Sequence, residues 1–310
     1  MIKFVFNGYY RSGTTIFYKI LNESNPSYLC LYEPLSPHLF EDLTNPEKIV
    51  LHLHGFHPYK CYRHLNSQNL DEFQRIHKDI CQKFKNYGDN IPIHLSEVVE
   101  LFDFLNNLEK DTIIQPNRCH FILSQLAQRY RCTFIHIIRN PIDVWIGQTL
   151  EPLVLVGNVK RAKLVYKFKN TFIGRYVLTK YLPNREWVNG FAINENFKLI
   201  KDIQFGLSRS LDLLDKMLVV WTYCNYYAFK QADNERGMIV YYEEVTREPE
   251  KWLKIMTEFS GVNFDLKYAK ILKPRITKDE KLRKHFVERL ERLGLIDMVN
   301  EFYPPKRWFG

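Results

Sequence analysis

The chain has 310 residues, 45% hydrophobic and 15% aromatic, with 14 prolines; this composition excludes a disordered or low-complexity protein and suffices for a sizeable core. Lys and Arg number 44 against 35 Asp and Glu, and the formal net charge of +9 favours an anionic partner: nucleic acid, a phosphorylated cofactor, an acidic glycan or a membrane surface. No apolar run approaches the ~20 residues that span a bilayer; the most hydrophobic stretch, MLVVWTYCNYYAF at 217–229, carries Asn225 and reads as a buried helix.

In chain order, IKFVFNG reads as a strand ending on Gly8, and TTIFYKILNES as a helix with apolar spacing at Ile16, Phe17, Ile20 and Leu21. YLCLYEP follows as a second short strand stopped by Pro34 and Pro37. Residues 45–111 mix His-rich and charged helical stretches such as LDEFQRIHKDICQKF and fit an excursion over the edge of a sheet. The pattern then recurs: CHFILSQLAQRY as an amphipathic helix, CTFIHIIRN as a fully buried strand, and PIDVWIGQTL as a helix with Pro141 in its first turn. A long helix over about 204–231 precedes the strand GMIVYYEEV and the helix EPEKWLKIMTEFSG, with Pro249 near its start and Gly261 at its stop. The alternation predicts an α/β fold, three-layered and P-loop-like, with a central parallel sheet flanked by helices. One domain over 1–310 is expected, with helical or basic insertions at about 45–111 and 150–203. The six cysteines, Cys30, Cys61, Cys81, Cys119, Cys132 and Cys224, form no C-x-x-C and follow no signal peptide, so reduced thiols and a cytoplasmic protein are expected.

The stretch Gly8-Tyr9-Tyr10-Arg11-Ser12-Gly13-Thr14-Thr15, set between strand and helix, has the outline of a phosphate cradle, G-x-x-x-x-G-K-[ST], with Thr14 where the lysine belongs. The cation has moved into the loop, to Arg11. A lysine bridging β- and γ-phosphates is the mark of triphosphate chemistry, so its replacement argues for a ligand with fewer phosphates in a row. The amides of Ser12 to Thr15, the threonine hydroxyls and the positive end of the helix suit one phosphate. The plainer alternative is a glycine turn that happens to be rich in hydroxyls.

Four stretches in order carry a resemblance. YRSGTT resembles the 5′-phosphosulfate loop of sulfotransferases that use 3′-phosphoadenosine 5′-phosphosulfate (PAPS). FIHIIRNPIDVW resembles their 3′-phosphate motif, and IVYYEEVTREPEKWLKIMTEFSGV their later strand, loop and helix. LYEPLSPHLF is similar to a stretch of the carbohydrate sulfotransferases. The resemblance implies a sulfotransferase that moves a sulfuryl group from PAPS to a hydroxyl of a carbohydrate or glycoconjugate, with 3′-phosphoadenosine 5′-phosphate (PAP) as product and no metal. It implies that Arg11, Ser12, Gly13, Thr14 and Thr15 hold the 5′ end, that Arg139 grips the 3′-phosphate, that Tyr242 touches the adenosine end, and that Glu33 is the general base, with Arg11 also catalytic. A rival role for Glu33 is to orient Arg11 through an ion pair. Where the family has a serine eight positions after the arginine, this chain has Gly147; its backbone N–H, Gln148 or Thr149 is left to fill that place.

The run HLHGFHPYKCYRH gathers His52, His54, His57, Cys61 and His64, but the spacing matches no common zinc finger and fits a lid or surface segment. His136, alternating with apolar neighbours, reads as a core residue, and His38 as a second-line candidate at the site. Between Pro152 and Arg185 no acidic residue occurs, while Lys160, Arg161, Lys163, Lys167, Lys169, Arg175, Lys180 and Arg185 interleave with aromatics. This segment suits an acidic or sugar acceptor, a glycan or glycolipid, or a peripheral membrane contact, with a solvated basic helix as the plain alternative. No specific nucleic acid is expected. Two other classes compete: a P-loop nucleotide or small-molecule kinase, opposed by Thr14 and the Arg139-Asn140 pair, and a non-catalytic anion- or nucleic-acid-binding protein on the same fold.

Overall fold

Five apolar runs set the architecture. In the computed structural model they form one all-parallel sheet of β1 (Ile2–Gly8), β2 (Leu29–Tyr32), β3 (Thr112–Gln115), β4 (Thr133–Ile138) and β5 (Gly237–Tyr241), in the order β2-β3-β1-β4-β5. The structure describes residues 1–44, 58–86, 88–155 (backbone only over 149–155), 193, 196–200, 211–233, 235–274 and 276–308. The expected α/β class, with a parallel sheet flanked by helices, holds. Register is continuous along β1 and β4, with Phe4 opposite Thr133 and Gly8 opposite Ile137. β3, a four-residue strand absent from the sequence reading, slots between β1 and β2. β1 and β2, consecutive strands in the sequence reading, are therefore not neighbours in the sheet. The short run TIIQ is buried on both faces and carries no alternation to announce it.

Two compact units divide the described chain: Met1–Ile138 with Tyr227–Pro274, and Arg139–Tyr226 with Arg275–Gly310. The first holds the sheet. Its core is aromatic: Phe6 is sealed against Phe17 at 5.1 Å between ring centroids and against Phe4 and Phe264 at 6.3 Å each. Helix α1 (Thr14–Ser24) turns Phe17, Tyr18, Ile20 and Leu21 inward, and α3 (Ser67–Lys83), after the short α2 (Leu39–Thr44), buries Phe73, Ile76, His77 and Ile80 on one stripe. The helix Pro249–Ser260 starts on its proline and stops at Gly261 in the left-handed region, φ 71°, as read from the sequence. All six cysteines are free, five of them buried, and burial pushes the Cys30 thiol up to about 12.

The second unit is tied by aromatics and by ion pairs to the buried Asp215. Trp221 packs on Phe302 at 5.5 Å and on Trp308 at 6.4 Å, while Asp215 accepts from Arg289 (2.8 Å) and Arg292 (2.6 Å) of the C-terminal helix Glu280–Arg292. Among the described residues no helix is long and apolar enough to cross a membrane.

Beneath the sheet's carboxyl edge, polar groups replace core. Asn7 is fully buried, and its amide nitrogen donates to Nδ1 of His120 (3.2 Å) and of His136 (3.0 Å). An amide nitrogen only donates, so both imidazoles accept at Nδ1; His136 is a hydrogen-bonded core residue. Burial, then His136 and Arg118, hold His120 well below the usual histidine range, and burial lowers His77, whose Nε2 donates to the Ser36 carbonyl at 2.8 Å. Both are neutral when folded, so as pH falls through the unfolded value near ~6.5 the unfolded chain takes up protons that the folded chain refuses. Stability is therefore complete above that pH and declines below it, by up to about 1.4 kcal/mol per pH unit for each histidine. Urea unfolding between pH 7.5 and 5.5 should show the decline, reduced in His77→Gln; a flat profile would contradict it.

Candidate functional site

The loop after β1 closes on itself: the Ser12 amide donates to the Tyr9 carbonyl at 3.1 Å, Arg11 takes a left-handed φ of 66°, and Gly13 caps α1 at φ 93°. The Gly13 carbonyl accepts from Ile16 at 3.1 Å, while the amides of Gly13, Thr14 and Thr15 have no hydrogen-bond partner among the described residues. The Ser12 hydroxyl is fully buried and likewise without a partner there. Unmet donors at a helix N-terminus make an anion cradle, with the helix dipole adding positive potential. Arg11 is half-buried, Thr14 is buried, and Thr15 Oγ1 hydrogen-bonds the Tyr32 hydroxyl at 3.0 Å.

The glycines are required by proximity. A Cβ on Gly8 would lie 2.6 Å from Thr14 Cγ2 and 2.7 Å from Ile137 Cγ2; one on Gly13 would lie 2.6 Å from the Tyr242 ring. Tyr242, first residue of the helix Tyr242–Arg247, is therefore packed on the loop itself.

Glu33 follows β2 directly, in a left-handed conformation at φ 44°. With β3 intervening, the loop is reached through the residue before Glu33: the Tyr32 hydroxyl is bonded to Thr15, and burial, then the Glu33 charge, push that hydroxyl well above the usual range. The carboxylate is held on both oxygens by residues past the end of β3. Asn117 Nδ2 donates to Oε1 at 2.7 Å, and Arg118 Nη1 donates to Oε2 at 2.9 Å. Arg118 Nε donates in turn to Asp89 Oδ1 at 2.5 Å, and the Tyr10 hydroxyl donates to Asp89 Oδ2. The Arg118 guanidinium lies 5.3 Å from the Tyr10 ring centroid. Its burial opposes the charge, yet Asp89, Tyr10 and Glu33 more than offset this and hold it firmly protonated. The ion pair of Glu33 thus runs to Arg118, a residue the sequence reading missed together with Asn117, Asp89 and Tyr10. The only signal lay in QPNR after a strand too short to see.

Arg139 and Gly147 belong to the second unit. Arg139 is half-buried, its Nη2 lies 3.9 Å from Asp143 Oδ2, and its carbonyl accepts from Trp221 Nε1 at 3.1 Å. Asn140 caps α6 (Pro141–Leu155; α4 and α5 span Val99–Asn106 and Leu123–Tyr130), accepting from the Asp143 amide at 2.8 Å, and Asp143 accepts from the Thr277 hydroxyl at 2.6 Å. Gly147 sits half-buried within α6, and Gln148 beside it is buried with its amide oxygen lacking a partner among the described residues. His38 is exposed and pairs with Glu41 at 3.8 Å. His52, His54, His57 and the basic run from Lys160 to Arg185 lie outside the described residues; Cys61 is buried and His64 exposed. No group of metal-ligating side chains occurs among the described residues.

No protein-family model matches the chain. It is 96% identical, over all 310 residues of both chains, to an uncharacterized protein of Archaeoglobus fulgidus, and the two belong to one family. Among solved structures it is similar to mouse sulfotransferase SULT7A1 complexed with PAP, at 15% identity and a TM-score of 0.38, covering 88% of this chain and 63% of that one. It is also similar to the sulfotransferase domain of the Synechococcus PCC 7002 olefin synthase, at 13% identity and a TM-score of 0.39 with 94% of each chain covered, and to that of the curacin biosynthetic pathway, at 12% and 0.36 with 94% and 98% covered. At these values the likeness carries no functional weight, and the site's own chemistry must supply it.

Gly13→Ala combines left-handed strain with contact against Tyr242 and should cost about 1–3 kcal/mol in urea unfolding. The double variant with Tyr242→Ala should recover the contact part alone, leaving the φ strain. Unchanged stability in the single variant would show that the loop does not depend on this glycine.

Proposed function

We propose that the chain is a PAPS-dependent sulfotransferase acting on a hydroxyl. One observation carries the reading: a helix N-terminus whose three amides and buried Ser12 hydroxyl have no partner among the described residues, bonded through Thr15 to Tyr32, the residue that precedes Glu33. The loop fits a single phosphate bearing a sulfuryl group. Its donors are unmet, its glycines admit no Cβ, and its cation is Arg11 where a triphosphate enzyme has a lysine.

When bound, PAPS supplies a sulfuryl group whose S–O bond to the 5′-phosphate breaks as the acceptor oxygen bonds to sulfur, leaving the electron pair on PAP. Arg11, with the amides and hydroxyls of Ser12, Gly13, Thr14 and Thr15, holds the 5′ end and stabilises the negative charge that develops there. Glu33 takes the acceptor's proton, and its tethers keep the carboxylate in one orientation. Arg139, a planar guanidinium suited to bidentate contact, holds the 3′-phosphate. In the place of the family's serine stands the Gly147 amide or Gln148. Tyr242 borders the adenosine side. The acceptor is a hydroxyl; that it belongs to a glycan or glycolipid rests on LYEPL alone.

Titration calorimetry with PAP, ATP and adenosine 5′-phosphate tests this directly. PAP should bind in clear preference to both, and Arg139→Ala should abolish the preference. Glu33→Gln should keep PAP affinity while lowering kcat about 10²–10⁴-fold against a panel of hydroxyl acceptors. Equal binding of ATP, or an active Glu33→Gln enzyme, would turn the reading toward a kinase or a non-catalytic anion-binding protein.

A further inference from the structure

We infer that Arg118, braced by Asp89, is a positioning residue that fixes the Glu33 carboxylate for proton transfer; this rests on the sulfotransferase reading above. Three observations converge. Both carboxylate oxygens are occupied from one dipeptide, Oε1 by Asn117 at 2.7 Å and Oε2 by Arg118 at 2.9 Å, which fixes the plane of the carboxylate. Glu33 is held in a left-handed conformation, φ 44°, that a residue other than glycine or asparagine rarely adopts. The third observation is the second carboxylate: Asp89, with a side chain only 5% exposed, takes Arg118 Nε at 2.5 Å and is itself held by the Tyr10 hydroxyl.

The charge count gives the arrangement its meaning. Glu33 with Arg118 alone would be a one-to-one ion pair. Asp89 makes the buried cluster two carboxylates to one guanidinium, and Arg118 bridges them, Nη1 to Glu33 and Nε to Asp89, so the guanidinium is fixed from both sides. A structural ion pair gains nothing from burying a second acid, whose desolvation is costly. A guanidinium that has to hold the Glu33 carboxylate in one orientation is itself held by the second acid.

The test uses Arg118→Ala and Arg118→Lys, with turnover read as PAP release from PAPS, water serving as acceptor if the panel yields none. Arg118→Ala should bind PAP within about threefold of wild type and lose about 100-fold in kcat. Guanidinium ion added in solution should restore part of that loss. Arg118→Lys should recover less than an arginine gives, because an ammonium is a point charge where the guanidinium spans two carboxylates. Independently of turnover, carbodiimide labelling of resting protein, read by peptide mass spectrometry, should modify Glu33 faster in both variants than in wild type. Undiminished kcat in either folded variant, or unchanged labelling of Glu33, overturns the inference. So does loss of PAP affinity and kcat together without guanidinium rescue, which marks a structural role. Should Arg118→Ala not fold, Arg118→Lys decides by the same readouts. If wild type neither binds PAP nor turns over PAPS, the sulfotransferase reading itself fails, and the inference with it.

Discussion

The contact between Glu33 and Arg118 is the point on which the carboxyl edge of the sheet depends. Glu33 ends β2, Asn117 and Arg118 follow β3, Tyr10 lies in the loop after β1, and Asp89 comes from the connection between β2 and β3; all five meet in one buried network. Removing one member of such a network strands a charge in a medium that cannot solvate it, typically at a cost of about 3–5 kcal/mol. The network therefore fixes the ends of three strands relative to one another, and with them the loop that opens α1. Stability and site geometry are here the same interactions.

That loop then needs little more. Its unmet donors are the ordinary consequence of starting a helix, and the departure from a triphosphate cradle lies in one exchange, a lysine lost at position 14 and an arginine present at position 11. An arginine inside the loop would bring a broad, delocalised charge to a neighbour of a phosphate held there, whereas a lysine in the helix's first turn reaches along a phosphate chain. The close packing of Tyr242 on Gly13 sets one wall of the loop by a hydrophobic contact with no hydrogen bond needed. Tyr242 directly follows β5, which β4 separates from β1, so the cradle exists only when the sheet is assembled.

The sequence disclosed what is local. The apolar runs of β1, β4 and β5, the glycine turn, Pro141 at the start of α6 and Gly261 at a helix end follow from short-range rules, and each was readable. Glu33 was readable as a candidate through its place after a strand. Its partners were not. Asn117 and Arg118 lie 84 and 85 residues away, and β3, which delivers them, has four residues and no flanking periodicity. The same gap hides that β1 and β2 are separated in the sheet. A parallel strand inserted from later in the chain changes who stands beside whom without altering any local signal.

The placement of backbone strain argues that this edge is kept for chemistry. Of the four non-glycine residues with left-handed backbone among the described residues, three are Arg11, Glu33 and Asn117, each within three residues of the end of its strand. At Arg11 and Glu33 the conformation costs on the order of 1 kcal/mol or more and persists only where surrounding contacts over-determine it. A fold seeking stability alone would place glycine or asparagine at these turns, as it does at Gly13 and Gly261. Placing an arginine and a glutamate there instead trades stability for side-chain direction. In open parallel sheets the carboxyl edge is where ligands bind, because the connections of neighbouring strands diverge there; in the order β2-β3-β1-β4-β5 they diverge at β1. The strained residues, the unmet donors and the anionic network lie on that edge, and a ligand that draws on all three must bring an anion for the helix and a proton for the carboxylate.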